Sequence, residues 1–242
     1  MKNSVDAVSN RPLAQGILIL DKEMGRLSFS LVSWLRKFTG QPKVGHAGTL
    51  DPFATGVMVM LLGTPFTKMA TQFLQDDKEY LGTIRLGVET DTYDSDGQIL
   101  STTLLEPTVE EVEEALTFFQ GKVLQVPPMF SAKKIGGKKL CDLARQGKNI
   151  EREAVTLEMK VDLLAYEYPY IRVKVRCSKG TYVRSIAHDL GKKLGTGAHL
   201  SALRRTRSGV FCIEQATTLS ALQEDPAKLF SSMIQSPLKV SV

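Results

Sequence analysis

Cysteine is scarce in this 242-residue chain: Cys141, Cys177 and Cys212 are odd in number, widely spaced and form no C-x-x-C pair. That pattern supports neither a disulfide framework nor a zinc ribbon, and a reduced, intracellular setting fits it best. Long apolar runs are missing as well. The longest, residues 17–20 and 57–62, are far too short to span a bilayer. Residues 1–15 are polar and lack the apolar stretch of a secretory signal, so the chain reads as soluble and cytoplasmic with no membrane partner. The three histidines, His46, His188 and His199, are scattered without the i, i+4 spacing of a helical metal pair. No G-x-x-x-x-G-K-[ST] run exists and no G-x-G-x-x-G follows a strand, so nucleotide-cofactor fingerprints are absent. Asp91, Asp94 and Asp96 before Gly97 lack the spacing of a calcium-binding loop and read as a polar turn. The chemistry is therefore expected from side chains alone, with no cofactor and no metal.

What is present begins with charge. Composition is ordinary for a globular chain, 43% hydrophobic and 24% charged, and the net charge of +5 says little. Its distribution says more. Residues 122–207 hold 19 basic and 7 acidic residues, a net of +12, which leaves −7 for the remainder. Twelve acids fall between Asp76 and Glu114, against Lys78 and Arg85. A basic block of that size is the electrostatic footprint of a polyanion binder.

Periodicity organises the chain as one domain behind a flexible N-terminal arm, residues 1–15. Residues 17–20 and 57–62 read as buried strands, and residues 78–86, 155–163 and 171–177 as further strands with apolar alternation. Arg172, Lys174 and Arg176 then share one sheet face. Ser28 is expected to cap a helix carrying Leu31, Leu35 and Phe38, with Gly40 past its end. Thr64-Pro65 opens a helix with Phe66, Met69, Ala70 and Phe73 inward. Thr108 with Glu111 forms a capping box. Thr181 is expected to cap a helix from Val183 to Leu194, and residues 210–213 make a short last strand. Residues 129–149 are basic and glycine-containing, an exposed excursion from the core. Strands and helices are interspersed with adjacent strand pairs, which predicts α+β with a mixed sheet rather than a doubly wound fold.

The most unusual segment is His46-Ala47-Gly48-Thr49-Leu50-Asp51-Pro52-Phe53-Ala54-Thr55-Gly56. It is a glycine-punctuated loop with one carboxylate just before a buried strand, and Pro52 keeps the backbone extended after Asp51. A carboxylate held rigidly there has good geometry for a nucleophile. Composition alone favours a plainer role for Asp51, as the cap of a turn.

The segment resembles the signature H-x-G-x-L-D-P-x-A-x-G of the TruB-type bacterial tRNA pseudouridine-55 synthases. Further matches follow in that family's order: residues 16–22, 77–80, 86–97, 125–133, 137–140, 144–147, 177–184 and 197–205. Together they cover most of the chain from Gly16 to about Leu222. The resemblance implies a pseudouridine synthase fold, a mixed, mostly antiparallel sheet flanked by helices, with an RNA-clamping insertion at about residues 125–150. It implies isomerisation of uridine 55 in the T-loop of tRNA, by base flipping and without a cofactor.

Roles follow by position within that resemblance. Asp51 is the obligatory nucleophile or electrostatic partner. Arg184 pairs with it, and a neighbouring guanidinium favours the charged form of a carboxylate. Tyr80 stacks on the uracil and is a candidate base for the last proton removal. Tyr182 is a second pocket tyrosine, Leu203 an apolar wall behind the base, and His46 a wedge that fills the gap left by flipping. Lys22 is a lysine near the site and is assigned to substrate binding. Lys133, Lys138, Lys139 and Arg145 belong to the clamp and would contact phosphates. Asp91 is expected to brace its loop.

Two positions depart from the family: Glu23 stands where proline is usual, and Cys141 where an aromatic is common. Residues 223–242 are expected to be a short tail with no C-terminal RNA-binding domain of the PUA type. The protein is expected to act on the T-arm as a monomer that requires no protein partner. Two rivals remain: a synthase directed by guide RNA, and a tRNA-folding chaperone without catalysis.

Overall fold

The computed structural model describes residues 13–235. The expected N-terminal arm lies outside them apart from residues 13–15, as do the last seven residues of the expected tail. In chain order the elements begin β1 (Gly16–Lys22), α1 (Ser28–Thr39), β2 (Val44–Ala47), β3 (Thr55–Leu62), α2 (Thr64–Thr67), α3 (Ala70–Leu74) and β4 (Lys78–Leu86). Next come β5 (Val88–Thr90), β6 (Ile99–Thr102), α4 (Val109–Leu116), β7 (Gln120–Gln125), β8 (Lys134–Ile135), β9 (Lys138–Lys139) and α5 (Leu140–Ala144). The last are β10 (Val155–Glu167), β11 (Tyr170–Cys177), α6 (Val183–Lys193), β12 (Ala198–Ser208), β13 (Phe211–Cys212), α7 (Leu219–Glu224), α8 (Lys228–Ser231) and β14 (Met233–Ile234).

The main sheet runs β14-β1-β3-β12-β4-β11-β10-β7, with β2 beside β3 and β13 beside β12. β1 and β3 are apolar almost throughout because both their faces are covered. Leu18, Leu20, Met58, Met60 and Leu62 point into the main core with Leu31 and Leu35 of α1. Their alternates Ile17, Ile19, Val57, Val59 and Leu61 meet Phe66, Phe73 and Phe211 on the opposite face. Fully burying each such side chain contributes roughly 1.5–3 kcal/mol. β11 instead keeps one wet face, which is why Ile171, Val173, Val175 and Cys177 alternate with polar residues.

The pairing of β3 with β12 is parallel, through Arg204 with Thr55 and Arg205 with Gly56, whereas the strands on either side pair antiparallel. Gly56 has φ +102°, and a Cβ there would lie 2.2 Å from the Arg205 carbonyl oxygen. Only glycine permits that approach. It brings the end of the signature loop directly against β12.

Several expectations need correction. Ser28 does not cap α1: Leu27 is the N-cap, and Ser28 Oγ instead donates to Leu50 O at 2.9 Å and accepts from Leu50 N at 3.0 Å. Thr181 does not cap α6 either; Tyr182 holds that position, and Thr181 Oγ1 donates to Ser178 O. The helix expected from Thr64 breaks into α2 and α3. β7 and β12 were not anticipated, and β10 is 13 residues long. The tail does not begin at residue 223: α7 continues to Glu224, α8 follows, and β14 pairs with β1 through Met233 opposite Leu18. The basic face of β11 is largely neutralised, since Lys174 lies 3.0 Å from Glu79 and Arg176 2.5 Å from Asp162. The capping box at Thr108 is present with both bonds formed.

Candidate active site

The loop between β2 and β3 carries Asp51, and three side chains pin its backbone on both sides of that residue. Before Asp51, Ser28 holds Leu50, and Arg205 donates from Nη2 to Gly48 O at 3.3 Å and from Nη1 to Thr49 O at 3.5 Å. After it, Lys22 Nζ donates to Pro52 O at 3.0 Å and Ala54 O at 2.5 Å, and Arg205 Nε to Val57 O at 2.7 Å. Lys22 and Arg205 are each only 1% exposed. The loop is thus strung on two buried cations whose hydrogen bonds go mostly to carbonyl oxygens, and little freedom remains at Asp51.

Arg184, in the first turn of α6, reaches the carboxylate from the other side. Its Nε lies 2.9 Å from Asp51 Oδ2, and its Nη1 3.3 Å from Asp94 Oδ2. Nη1 also donates to Thr92 O at 3.0 Å and Nη2 to Phe130 O at 2.8 Å. A planar guanidinium with several fixed donors suits such a site better than a lysine would. Burial holds the Asp94 carboxyl above its ordinary value, against Thr92 and Arg184, which both lower it.

Asp51, Tyr80, Tyr182, Arg184, Leu203 and Arg205 line one cleft of about 340 Å³. Tyr80 stands on β4 and Leu203 on β12, neighbouring strands of the main sheet. Tyr182 is fixed through its backbone: its N–H donates to Gln125 Oε1 at 2.8 Å and its carbonyl accepts from Gln125 Nε2 at 3.1 Å. Burial pushes the Tyr80 phenol above its ordinary value, while Arg205 pulls the other way. A second cleft of about 520 Å³ shares Ser178, Lys179, Gly180 and Tyr182 with the first and extends it to Lys133 and Val155.

Two sequence-predicted binders lie apart from the cleft. Lys22 does not reach it. The side chain is buried under the loop as a brace, and burial lowers its pKa to about 8. His46 stands on β2 opposite Met60 and does not line the cleft. Its imidazole is pushed down first by burial and then by Arg205, and its Nδ1 is buried without a partner among the described residues. Lys133, Lys138, Lys139 and Arg145 are all exposed, on or beside the β8–β9 hairpin and α5; Arg145 pairs with Asp142 at 3.6 Å. The hairpin region is joined to the site, because Phe130 O accepts from Arg184 and Ser131 O accepts from Cys141 N. Asp91 braces its turn as expected, accepting from Gln98 N at 2.8 Å. Among the described residues no group of three or more His, Cys, Asp or Glu side chains is arranged to hold a metal ion.

Comparison with known proteins gives the family. Residues 36–183 match the TruB family pseudouridylate synthase N-terminal domain, and residues 184–235 match the tRNA pseudouridylate synthase B C-terminal domain. The chain belongs to the TruB family. It is similar to tRNA pseudouridine synthase B of Protochlamydia amoebophila (strain UWE25), 60% identical over 200 residues that cover 83% of this chain and 76% of the relative. It is also similar to tRNA pseudouridine synthase B of Chlamydia muridarum, 53% identical over 89% of this chain and 90% of the relative. Among solved structures, an H/ACA RNP bound to a substrate RNA containing 2′-deoxyuridine contains a chain that aligns with TM-score 0.68 and 26% identity. That alignment covers 93% of this chain and 61% of the solved one. The α+β sheet is therefore the pseudouridine synthase fold.

Within this TruB-family site, sequence reasoning passed over Asp94, Arg205, Gln125 and Ser28. A signal for Arg205 existed. Had β12 been recognised as a strand, its alternation would have turned Leu203 and Arg205 toward the same face. For Asp94, Gln125 and Ser28 the partners are set by tertiary approach, and no local pattern announces them.

Proposed function

We propose that this TruB-family protein isomerises uridine 55 in the T-loop of tRNA to pseudouridine, flipping the base into the cleft beside Asp51. The observation that carries the reading is the Asp51–Arg184 pair, an open carboxylate held by a buried guanidinium at a cleft walled by Tyr80, Tyr182 and Leu203. The reaction class, tRNA pseudouridine synthesis, comes with the family and with relatives that match most of this chain. In the reaction the C1′–N1 bond breaks, the uracil turns, and C5 bonds to C1′. The C5 proton leaves and N1 acquires one, so the atoms balance without an outside group.

Each residue has a part in that sequence. Asp51 acts as nucleophile or electrostatic partner, and the pinned loop keeps it in place while the base turns. Arg184 holds the carboxylate and is itself held by Asp94. Tyr80 stacks on the uracil and is the candidate base for the C5 proton; burial raises its phenol above the ordinary value, and Arg205 beside it opposes that shift. Tyr182 and Leu203 complete the pocket. His46, neutral at neutral pH, fills the gap that the flipped base leaves. The exposed cations Lys133, Lys138, Lys139 and Arg145 take the phosphates of the T-arm. The enzyme acts as a monomer in the cytoplasm, without guide RNA or protein partner.

Tritium release from 5-tritiated uridine in one defined tRNA tests this reading. Wild-type protein is expected to release tritium from that tRNA and from a bare T-arm hairpin, and not when the target uridine is changed to cytidine. Asp51→Asn is expected to bind tRNA and release at least about a thousandfold more slowly. Release by Asp51→Asn at the wild-type rate would refute the nucleophile assignment. A requirement for a guide RNA would favour the guided reading, and tRNA binding by wild type without any release would favour the chaperone.

A further inference from the structure

The turn between β5 and β6 contains an unusual backbone. Tyr93 has φ +64°, the one non-glycine residue with positive φ among the described residues. A bulky side chain seldom adopts that conformation, and where it does the surroundings must enforce it. The residues on either side of Tyr93 are the ones that reach Arg184: Thr92 through its carbonyl and Asp94 through its carboxylate. The turn is also tied internally, Thr92 Oγ1 donating to Asp94 Oδ1 at 2.5 Å and Thr90 Oγ1 to Asp94 O at 2.7 Å. Leu200 N of β12 donates to Tyr93 O at 2.9 Å.

The Tyr93 ring lies flat on the imidazole of His188, with centroids 3.8 Å apart and planes 14° from parallel. His188 follows Arg184 by four positions on α6, so both project from one helix face. α6 therefore grips the turn twice, one helical turn apart: Arg184 by hydrogen bonds and His188 by stacking. The His188 side chain is 7% exposed, and Glu89 Oε1 lies 3.3 Å from its Nδ1 without forming a hydrogen bond. Burial, with Lys192, holds the imidazole down at about 4, so a neutral ring faces Tyr93 at neutral pH.

We propose that the Tyr93–His188 stack is a positioning clamp that fixes the 92–94 turn and so keeps Arg184 aimed at Asp51. Neither residue touches the cleft, and both act through Arg184. Without the stack, the turn relaxes from its left-handed conformation, Thr92 and Asp94 draw back, and the guanidinium gains freedom. A misplacement of that kind costs the chemical step more than substrate binding. The inference rests on the roles given above to Asp51 and Arg184.

The test is steady-state tritium release by full-length Tyr93→Phe, Tyr93→Asn, His188→Phe, His188→Ala and the Tyr93→Asn/His188→Ala double variant. Asp51→Asn serves as the reference. Asn tolerates the left-handed backbone, so Tyr93→Asn removes the ring without imposing a new turn. Tyr93→Phe is expected to match wild type. Tyr93→Asn and His188→Ala are expected to lose about tenfold in kcat with KM within about twofold. His188→Phe should recover most of the loss, and the double variant should be no slower than the worse single one. Wild-type kcat in Tyr93→Asn and His188→Ala would overturn the clamp. So would losses that fall on KM, or that track a lowered melting temperature without rescue by His188→Phe. If Asp51→Asn is itself as active as wild type, the assignment of Asp51 fails, a result separate from failure of the clamp.

Discussion

Asp51 and Arg184 share a 2.9 Å ion pair with unequal burial: the Arg184 side chain is 5% exposed and the Asp51 side chain 38%. The cation is committed to protein partners, Thr92, Phe130 and Asp94 besides Asp51, and is sealed from solvent. The carboxylate keeps an open side toward the cleft. Burying one end of an ion pair costs desolvation that the attraction alone need not repay, so the pair is not explained by stability. It fixes the carboxylate and leaves it accessible.

Arg184→Lys should therefore behave unlike a conservative change. An ammonium can keep the charge and one or two of these bonds, but not the planar set that joins Asp51, Asp94, Thr92 and Phe130. We expect kcat to fall about a hundredfold, with a much smaller change in KM. Tritium release at saturating and limiting tRNA separates the two. An equal loss in tRNA affinity and no loss in kcat would place Arg184 in RNA binding instead.

Lys22 makes stability depend on pH in a definite direction. Its pKa is lowered from 10.5 to about 8, first by burial, with Asp51 opposing and Arg205 reinforcing the shift. Between about pH 8 and 10.5 the unfolded chain thus binds more protons than the folded one, and stability rises with pH. The cost of burying the cation is present in full below pH 8 and is relieved as pH approaches 10.5. Its full size is roughly 3 kcal/mol. Denaturant unfolding of wild type and Lys22→Met across that window should show their difference shifting in favour of wild type by up to that amount. A difference independent of pH would contradict the assignment.

The RNA-contacting role proposed for the hairpin cations predicts a salt dependence. Lys138 and Lys139 are exposed and make no ion pair among the described residues, whereas Arg145 is partly occupied by Asp142. Changing Lys138 and Lys139 together to Ala should reduce the slope of log affinity against log salt by about 2. Arg145→Ala should reduce it by less than about 1. Filter binding of one tRNA at several salt concentrations measures both, and an unchanged slope in the double variant would remove the hairpin from the RNA interface.

Gly56→Ala should be among the most damaging single changes in the chain. The new Cβ would meet Arg205 backbone atoms at 2.2 to 2.9 Å, and the backbone φ of +102° is unfavourable for any L side chain. Neither neighbour can yield, since both are in paired strands. A loss of about 3 kcal/mol or more is expected from overpacking and strain combined. Chemical denaturation measures it directly.

How much of this was visible beforehand depends on the range of the interaction. The buried strands β1 and β3, the alternation of β11 and the Thr108 capping box are written in local periodicity, and they were legible. β12 was not, because Arg204, Arg205 and Arg207 interrupt its apolar pattern. Arg204 and Arg207 are neutralised by Asp21 and Asp77, and Arg205 by loop carbonyls, all distant in sequence. Ser28 and Thr181 carry the right residue types for helix caps but found better partners in Leu50 and Ser178. Asp51, Arg184, Tyr80, Tyr182 and Leu203 were assigned from the resemblance, and they converge on one cleft. Lys22 was assigned with them to substrate, and burial shows it to be a brace.

The parallel seam between β3 and β12 has a consequence for synthesis. Arg205 and its acceptor Val57 are 148 residues apart. At roughly 5–20 residues per second, a ribosome needs on the order of ten seconds to make the intervening chain. Until then the loop around Asp51 lacks one of its two buried cations, although α6 with Arg184 has already been made. The nascent chain thus exposes the Asp51 loop before Arg205 can brace it, and the Ile17–Leu18 end of the β1 edge stays open until Met233 and Ile234 arrive to cover it. Competence therefore appears late, once β12 and then β14 have joined the sheet.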